Sequence, residues 1–147
     1  SLEKLEFINV ATAGPGGRPN AAPKFLLKVD GRTVYLVDYT IGTTWQNVLV
    51  NPRVSLSYMD HETLTGYQLN GPVKVISKGR VYDAMRREMT DKEIRLTAKH
   101  IIEDVSGKSK HEFFEAGITE RFIVLKVTVD EVVAIGHRGE IIRKNAD

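Results

Sequence analysis

Two threonines, Thr43 and Thr44, follow Gly42 in the segment DYTIGTTWQNVLVNP (38–52), and the apolar-patterned run behind them stops at Pro52. This pattern predicts a short helix with hydroxyls in its first turn. Unpaired amides and the positive end of the helix dipole attract an anion there, and hydroxyl donors add to them, so a phosphate is the ligand such a terminus suits. The same threonines would also serve as ordinary N-caps. Other chemistry finds less support. His61, His100, His111 and His137 lie on separate segments without metal-ligand spacing, and no metal site is expected. The chain has neither a Gly-x-Ser-x-Gly elbow nor a Walker-type phosphate loop, which leaves hydrolase and nucleoside-triphosphatase readings without residues. The absence of cysteine removes disulfide frameworks and thiolate chemistry.

With 147 residues, 41% hydrophobic and 27% charged, the chain suits one compact domain with a single core. Its net charge of +2 comes from 21 basic and 19 acidic residues mixed along the sequence, so no nucleic-acid partner is expected. No run has the length of a membrane-spanning helix and no charged-then-apolar leader opens the sequence, so a cytoplasmic location without membrane contact is the expectation.

Periodicity supplies the elements. FINVATA (7–13) reads as a strand before the turn-forming GPGGRPN, and an Asp-Gly pair between AAPKFLLKV and TVYLVDY predicts a hairpin of 21–29 with 33–39. In RVSLSYMD, Val54 and Leu56 alternate with Ser55 and Ser57. GYQLNGPVKVISKG alternates again around Gly71-Pro72, where a bulge or an edge position is expected. Past Gly79 the period turns helical: RVYDAMRREM and TDKEIRLTAKHIIEDV predict two helices, the second opened by Thr90 and Glu93 in capping-box spacing. HEFFEAG predicts a further helical turn, and RFIVLKVTVDEVVAIGHRGEII returns to strands. On the short helix, Trp45, Val48 and Leu49 share a face expected to pack against the strands. Together these elements describe a mainly β fold with peripheral helices, an antiparallel barrel. It forms a single domain over residues 1–147 with a helical insertion at about 79–117.

The order F-x-x-V-A-T, a Gly-rich turn, A-A-P-K-F-L-L-K-V-D-G, V-Y-L-V-D-Y, G-T-T-W-Q-N, N-P-R-V-S-L-S and G-Y-Q-L-N-G resembles the FMN-binding split β-barrel proteins of the pyridoxamine 5'-phosphate oxidase-like superfamily. The resemblance implies a split antiparallel β-barrel and a homodimer that holds FMN in a groove between its subunits. It sets Ala22, Pro23, Lys24 and Phe25 on the strand bordering the isoalloxazine ring. Val37, Asp38 and Tyr39 fall near the ribityl chain and phosphate, and Thr43 and Thr44 receive the phosphate. Asn47 would orient the loop, and Gln68, on one strand face with Gly66 and Asn70, would reach the flavin edge. Where the family places an arginine or lysine, most often at the position of Thr43, this chain has threonine twice. The missing charge is expected from Lys24 or Lys28, four residues apart on a strand and hence on one face.

The function so implied is FMN binding with flavin-dependent oxidoreduction of a small molecule, in which the cofactor carries the chemistry and the protein binds and orients it. A flavin-binding or electron-carrying module without a substrate pocket is the alternative, as is a relative that binds a deazaflavin or haem. Pyridoxamine phosphate oxidation itself is disfavoured, because His137 and Arg138 are adjacent in GHRGE and do not form the spaced C-terminal motif that activity requires. The insertion helices are expected outside the barrel, with Arg86, Arg87 and Lys99 away from any phosphate.

Overall fold

The computed structural model describes residues 2–39, 42–105 and 122–145. Its strands are β1 (Phe7–Ala13), β2 (Pro19–Asp30), β3 (Thr33–Asp38), β4 (Arg53–Asp60), β5 (Thr65–Ile76), β6 (Ile123–Thr128), β7 (Glu131–Ile135) and β8 (Ile141–Asn145). Helix α1 (Thr43–Val50) joins β3 to β4, and α2 (Arg80–Val105) follows β5. All neighbouring strands are antiparallel, in the order β4-β1-β2-β3-β6-β5-β7-β8, and β4 also pairs with β5. That extra pairing closes β4, β1, β2, β3, β6 and β5 into a barrel and leaves β7 and β8 as a flap.

The barrel splits along β5. Its residues 73–76 pair with β6, and its residues 66–70 pair with β7. β6 and β7 thus continue one another with a kink between them, and β7 turns outward to β8 instead of inward to β3. At the kink the backbones nearly touch: a Cβ on Gly71 would run into the Thr128 carbonyl oxygen, so only glycine fits. The Val73 amide donates to Pro52 O at 2.9 Å on the β4 side. By alternation, the missing amide of Pro72 therefore faces the kink, where no ladder bond is needed. Gly71-Pro72 is neither a bulge in β5 nor an edge; it is the point where a fully paired strand changes neighbour.

Strand alternation sorts the apolar residues into two clusters. Ile8, Val10, Leu26, Val34, Leu36, Leu56, Leu69, Val73, Leu125 and Val127 fill the barrel. Phe25, Leu27, Val37 and Val124 face outward and are covered by Met85 and Met89 of α2. α2 is one helix, not two: the Thr90 hydroxyl donates back to the Arg86 carbonyl at 3.1 Å instead of capping a new start. The turn expected at HEFFEAG lies outside the described residues.

Candidate functional site

Helix α1 closes one end of the barrel with its polar side. Thr44, Asn47 and Val48 are its buried residues, whereas Leu49 is 56% exposed. The expected Trp45–Val48–Leu49 face is therefore rotated. The barrel end under the helix offers hydroxyl and amide groups, and a buried polar group must find a partner. Asn47 donates through Nδ2 to Thr12 Oγ1 at 3.0 Å, and Asn20 Nδ2 reaches Thr44 Oγ1 at 3.4 Å. The next inward positions carry an ion pair: Lys24 Nζ lies 3.0 Å from Asp38 Oδ1, with side-chain exposures of 12% and 2%. A layer of polar pairs thus separates the apolar barrel interior from α1.

Against this layer a pocket of about 350 Å³ opens between the β1–β2 turn and the start of α1, lined by Gly14, Pro15, Arg18, Pro19, Asn20, Thr43, Gln46 and Asn47. The turn is held by the Gly14 amide on Arg18 O at 2.8 Å and the Gly17 amide on Gly14 O at 3.0 Å. Gly16 and Gly17 take φ values of 71° and 79°, which glycine adopts without strain. A Cβ on Gly14 would stand 2.8 Å from Asn47 Oδ1, so a larger residue there would push on the Asn47 carboxamide. Arg18 is exposed and has no ion pair among the described residues. A hydroxyl, three carboxamides and a guanidinium around one pocket form a donor-rich set with no acid in its lining, which suits a phosphate.

The residues singled out in the sequence divide among five places. Thr43 and Asn47 line the pocket, and Thr44 lies beneath it. Lys24 and Asp38 neutralise each other inside the barrel end, where Ala22 also points inward, opposite Val10. Phe25, Val37 and Tyr39 belong to the cluster under α2. Pro23 and Gln68 lie on an outer row, Pro23–Asn9–Ser57–Gln68, read across β2, β1, β4 and β5. Lys24 and Lys28 do not share a face. The register of β2 against β3 shifts between Leu26 and Lys28, and this bulge turns Lys28 outward to Glu88 of α2, 3.2 Å away. Arg18, Asn20 and Gln46 escaped the sequence reading. The signal for Arg18 was a cation inside the Gly-rich turn, a segment otherwise legible only as a loop.

Two further polar groups lie outside the pocket. Lys92 of α2 donates to Leu26 O at 2.7 Å, beside the bulge, and stands 5.4 Å over the Phe25 ring. Burial, followed by the charge of Arg95, lowers its pKa. Burial, followed by the Glu93 carboxylate, pushes the Tyr39 phenol above its ordinary range. Among the described residues no group of three His, Cys, Asp or Glu could hold a metal ion, and no helix is long and apolar enough to cross a membrane.

Known proteins of this architecture resemble the chain over nearly its whole length. A protein related to general stress protein 26 of B. subtilis, of the pyridoxinephosphate oxidase family, from Clostridium acetobutylicum superposes with a TM-score of 0.69 at 19% identity, covering 99% of this chain and 89% of that one. A pyridoxamine 5'-phosphate oxidase-related, FMN binding protein from Nostoc punctiforme gives 0.57 at 12% identity over 97% and 88%. A heme binding protein from Mycobacterium smegmatis gives 0.64 at 18% identity over 98% of this chain and 54% of that one. No curated protein sequence matches the chain. The family model described as pyridoxamine 5'-phosphate oxidase matches residues 1–134, and with the split barrel observed, the chain belongs to the pyridoxamine 5'-phosphate oxidase family.

Proposed function

We propose that the protein binds FMN and uses it as a flavin-dependent oxidoreductase acting on a small molecule, with the phosphate received between the β1–β2 turn and α1. The observation that carries this reading is the convergence of Arg18, Thr43, Asn20 and Gln46 on one pocket, in a family with an FMN-binding member of the same fold. The volume, about 350 Å³, lies at the small end of the ~300–1,000 Å³ typical of ligand sites. It suits the phosphate and adjoining chain, with the ring lying on the open sheet. Arg18 supplies the charge that the family places on the helix, Thr43 adds a hydroxyl and the first amides of α1, and Asn47 is fixed by Thr12. Bound flavin would supply hydride or electron transfer at N5.

The homodimer belongs to the same proposal. The outward residues Phe7, Asn9, Ala11, Pro19, Ala21, Pro23, Ser55, Ser57 and Gln68 are uncharged and exposed or half-buried, and the patch they form ends at the exposed Arg53 of β4. Light scattering should give twice the chain mass, and a monomer at micromolar concentration would remove the shared groove. Arg18→Gln should weaken FMN about ten- to a hundredfold, the loss of a charged contact of ~1.5–3 kcal/mol, and leave riboflavin unchanged. Equal affinity of the parent protein for FMN and riboflavin would refute the phosphate assignment.

Haem is the second reading. Thr43 and Thr44 bring no charge to α1, Thr44 is already committed to Asn20, and the neighbour from Mycobacterium smegmatis binds heme. Absorbance after incubation with each cofactor separates the two: flavin bands retained through gel filtration support FMN, and a shifted Soret band alone supports haem.

A further inference from the structure

One outer wall of the barrel carries a row read straight across four strands: Lys28 lies opposite Tyr35, Tyr35 opposite Lys126, and Lys126 opposite Lys74. Lys28 is answered by Glu88. Lys126 and Lys74 have no ion pair among the described residues, although they stand face to face on adjacent strands. Like charges in that position repel and destabilise the pairing. The inward neighbours Val73, Leu125 and Val127 are buried, so the alternation of both strands commits the two lysines to the outer surface. Lys78, on the connection that follows β5, and Arg80, the first residue of α2, are exposed as well. A local rule broken without a compensating contact among the described residues is what a functional surface would show.

We propose that the Lys74–Lys126 pair is a docking site for an acidic surface of a partner protein. The wall is a sheet face without a pocket among the described hollows, and two point charges on it suit a few carboxylates in a weak, electrostatically steered encounter. A nucleic acid strand would want an aromatic platform beside the charges, but the one aromatic in the row, Tyr35, packs against the cluster under α2. A membrane surface would want large apolar side chains between the lysines, and the row has none.

The test uses the full chain and fluorescent poly-L-glutamate, followed by anisotropy. The parent protein should bind the probe at low ionic strength and release it as salt rises. The double variant Lys74→Gln/Lys126→Gln should bind about tenfold more weakly. The double variant Lys4→Gln/Lys144→Gln, which removes the same charge elsewhere, should bind as the parent does. The first double variant should also melt no lower than the parent, because the repelling pair is gone. Absence of binding at low salt, equal loss in both double variants, or a lower melting temperature for the first would overturn the proposal. Tighter binding of poly-uridylate or of phosphatidylglycerol vesicles through the same two lysines would overturn it as well.

Discussion

Strand β2 runs along two different walls of the same barrel. Its first outward residues, Pro19, Ala21 and Pro23, are small and exposed, whereas Phe25 and Leu27 are 1% and 2% exposed under α2. The inward residues change in step: Asn20 and Lys24 join the polar layer beneath α1, and Leu26 enters the apolar interior. Side-chain size along one strand thus records what covers it. Where a helix of the same chain lies on the wall, large apolar residues fill the seam; the outward residues of β2 that precede it, Pro19, Ala21 and Pro23, are small and uncharged.

Substitutions on β2 test that contrast, and the largest effect is expected where the wall is covered. Phe25→Ala should remove ~3–5 kcal/mol of stability in a denaturant titration, since the ring packs edge-on to Phe7, under Lys92 and against the α2 cluster. A loss below 1 kcal/mol would mean that α2 does not seal the wall. The two lysines give a sharper comparison because they share a strand and a side chain. Lys24→Ala breaks a buried ion pair with Asp38 and should cost ~3–5 kcal/mol. Lys28→Ala loses a pair whose members are 40% and 39% exposed, and should cost at most ~1 kcal/mol, less at high salt. Similar costs for the two would contradict the bulge that separates their faces.

The smallest effect at neutral pH is expected at Tyr39. Its buried hydroxyl has no hydrogen-bond partner among the described residues, so Tyr39→Phe should change stability by less than ~0.5 kcal/mol at pH 7. At alkaline pH the two proteins should diverge. The folded pKa of the phenol is raised above its ordinary value of 10.0, so the folded state holds the proton more tightly. That contribution is fully present below pH 10 and is lost as pH climbs beyond it. The phenylalanine variant should show a flatter alkaline limb; identical limbs would mean that the phenol is not buried.

Local patterns determined much of this protein. The Asp30-Gly31 hairpin, with Gly31 at φ 58°, the strand at 53–60 and the short helix after Gly42 form as expected, because turn chemistry and period-two alternation act between near neighbours. The family resemblance was legible for the same reason, in motifs confined to single elements. Three features only the tertiary structure decided. The bulge at Leu27 depends on how β2 registers against β3, so no spacing in the sequence could show that Lys24 and Lys28 part company. The burial of Thr44 and Asn47 depends on which side of α1 meets Thr12 and Asn20, residues 24 to 35 positions away in the chain. Arg18 lines the pocket only because a turn before β2 folds against a helix after β3. The sequence names the groups able to meet a phosphate, but which of them remain available depends on the long-range contacts that bury the others.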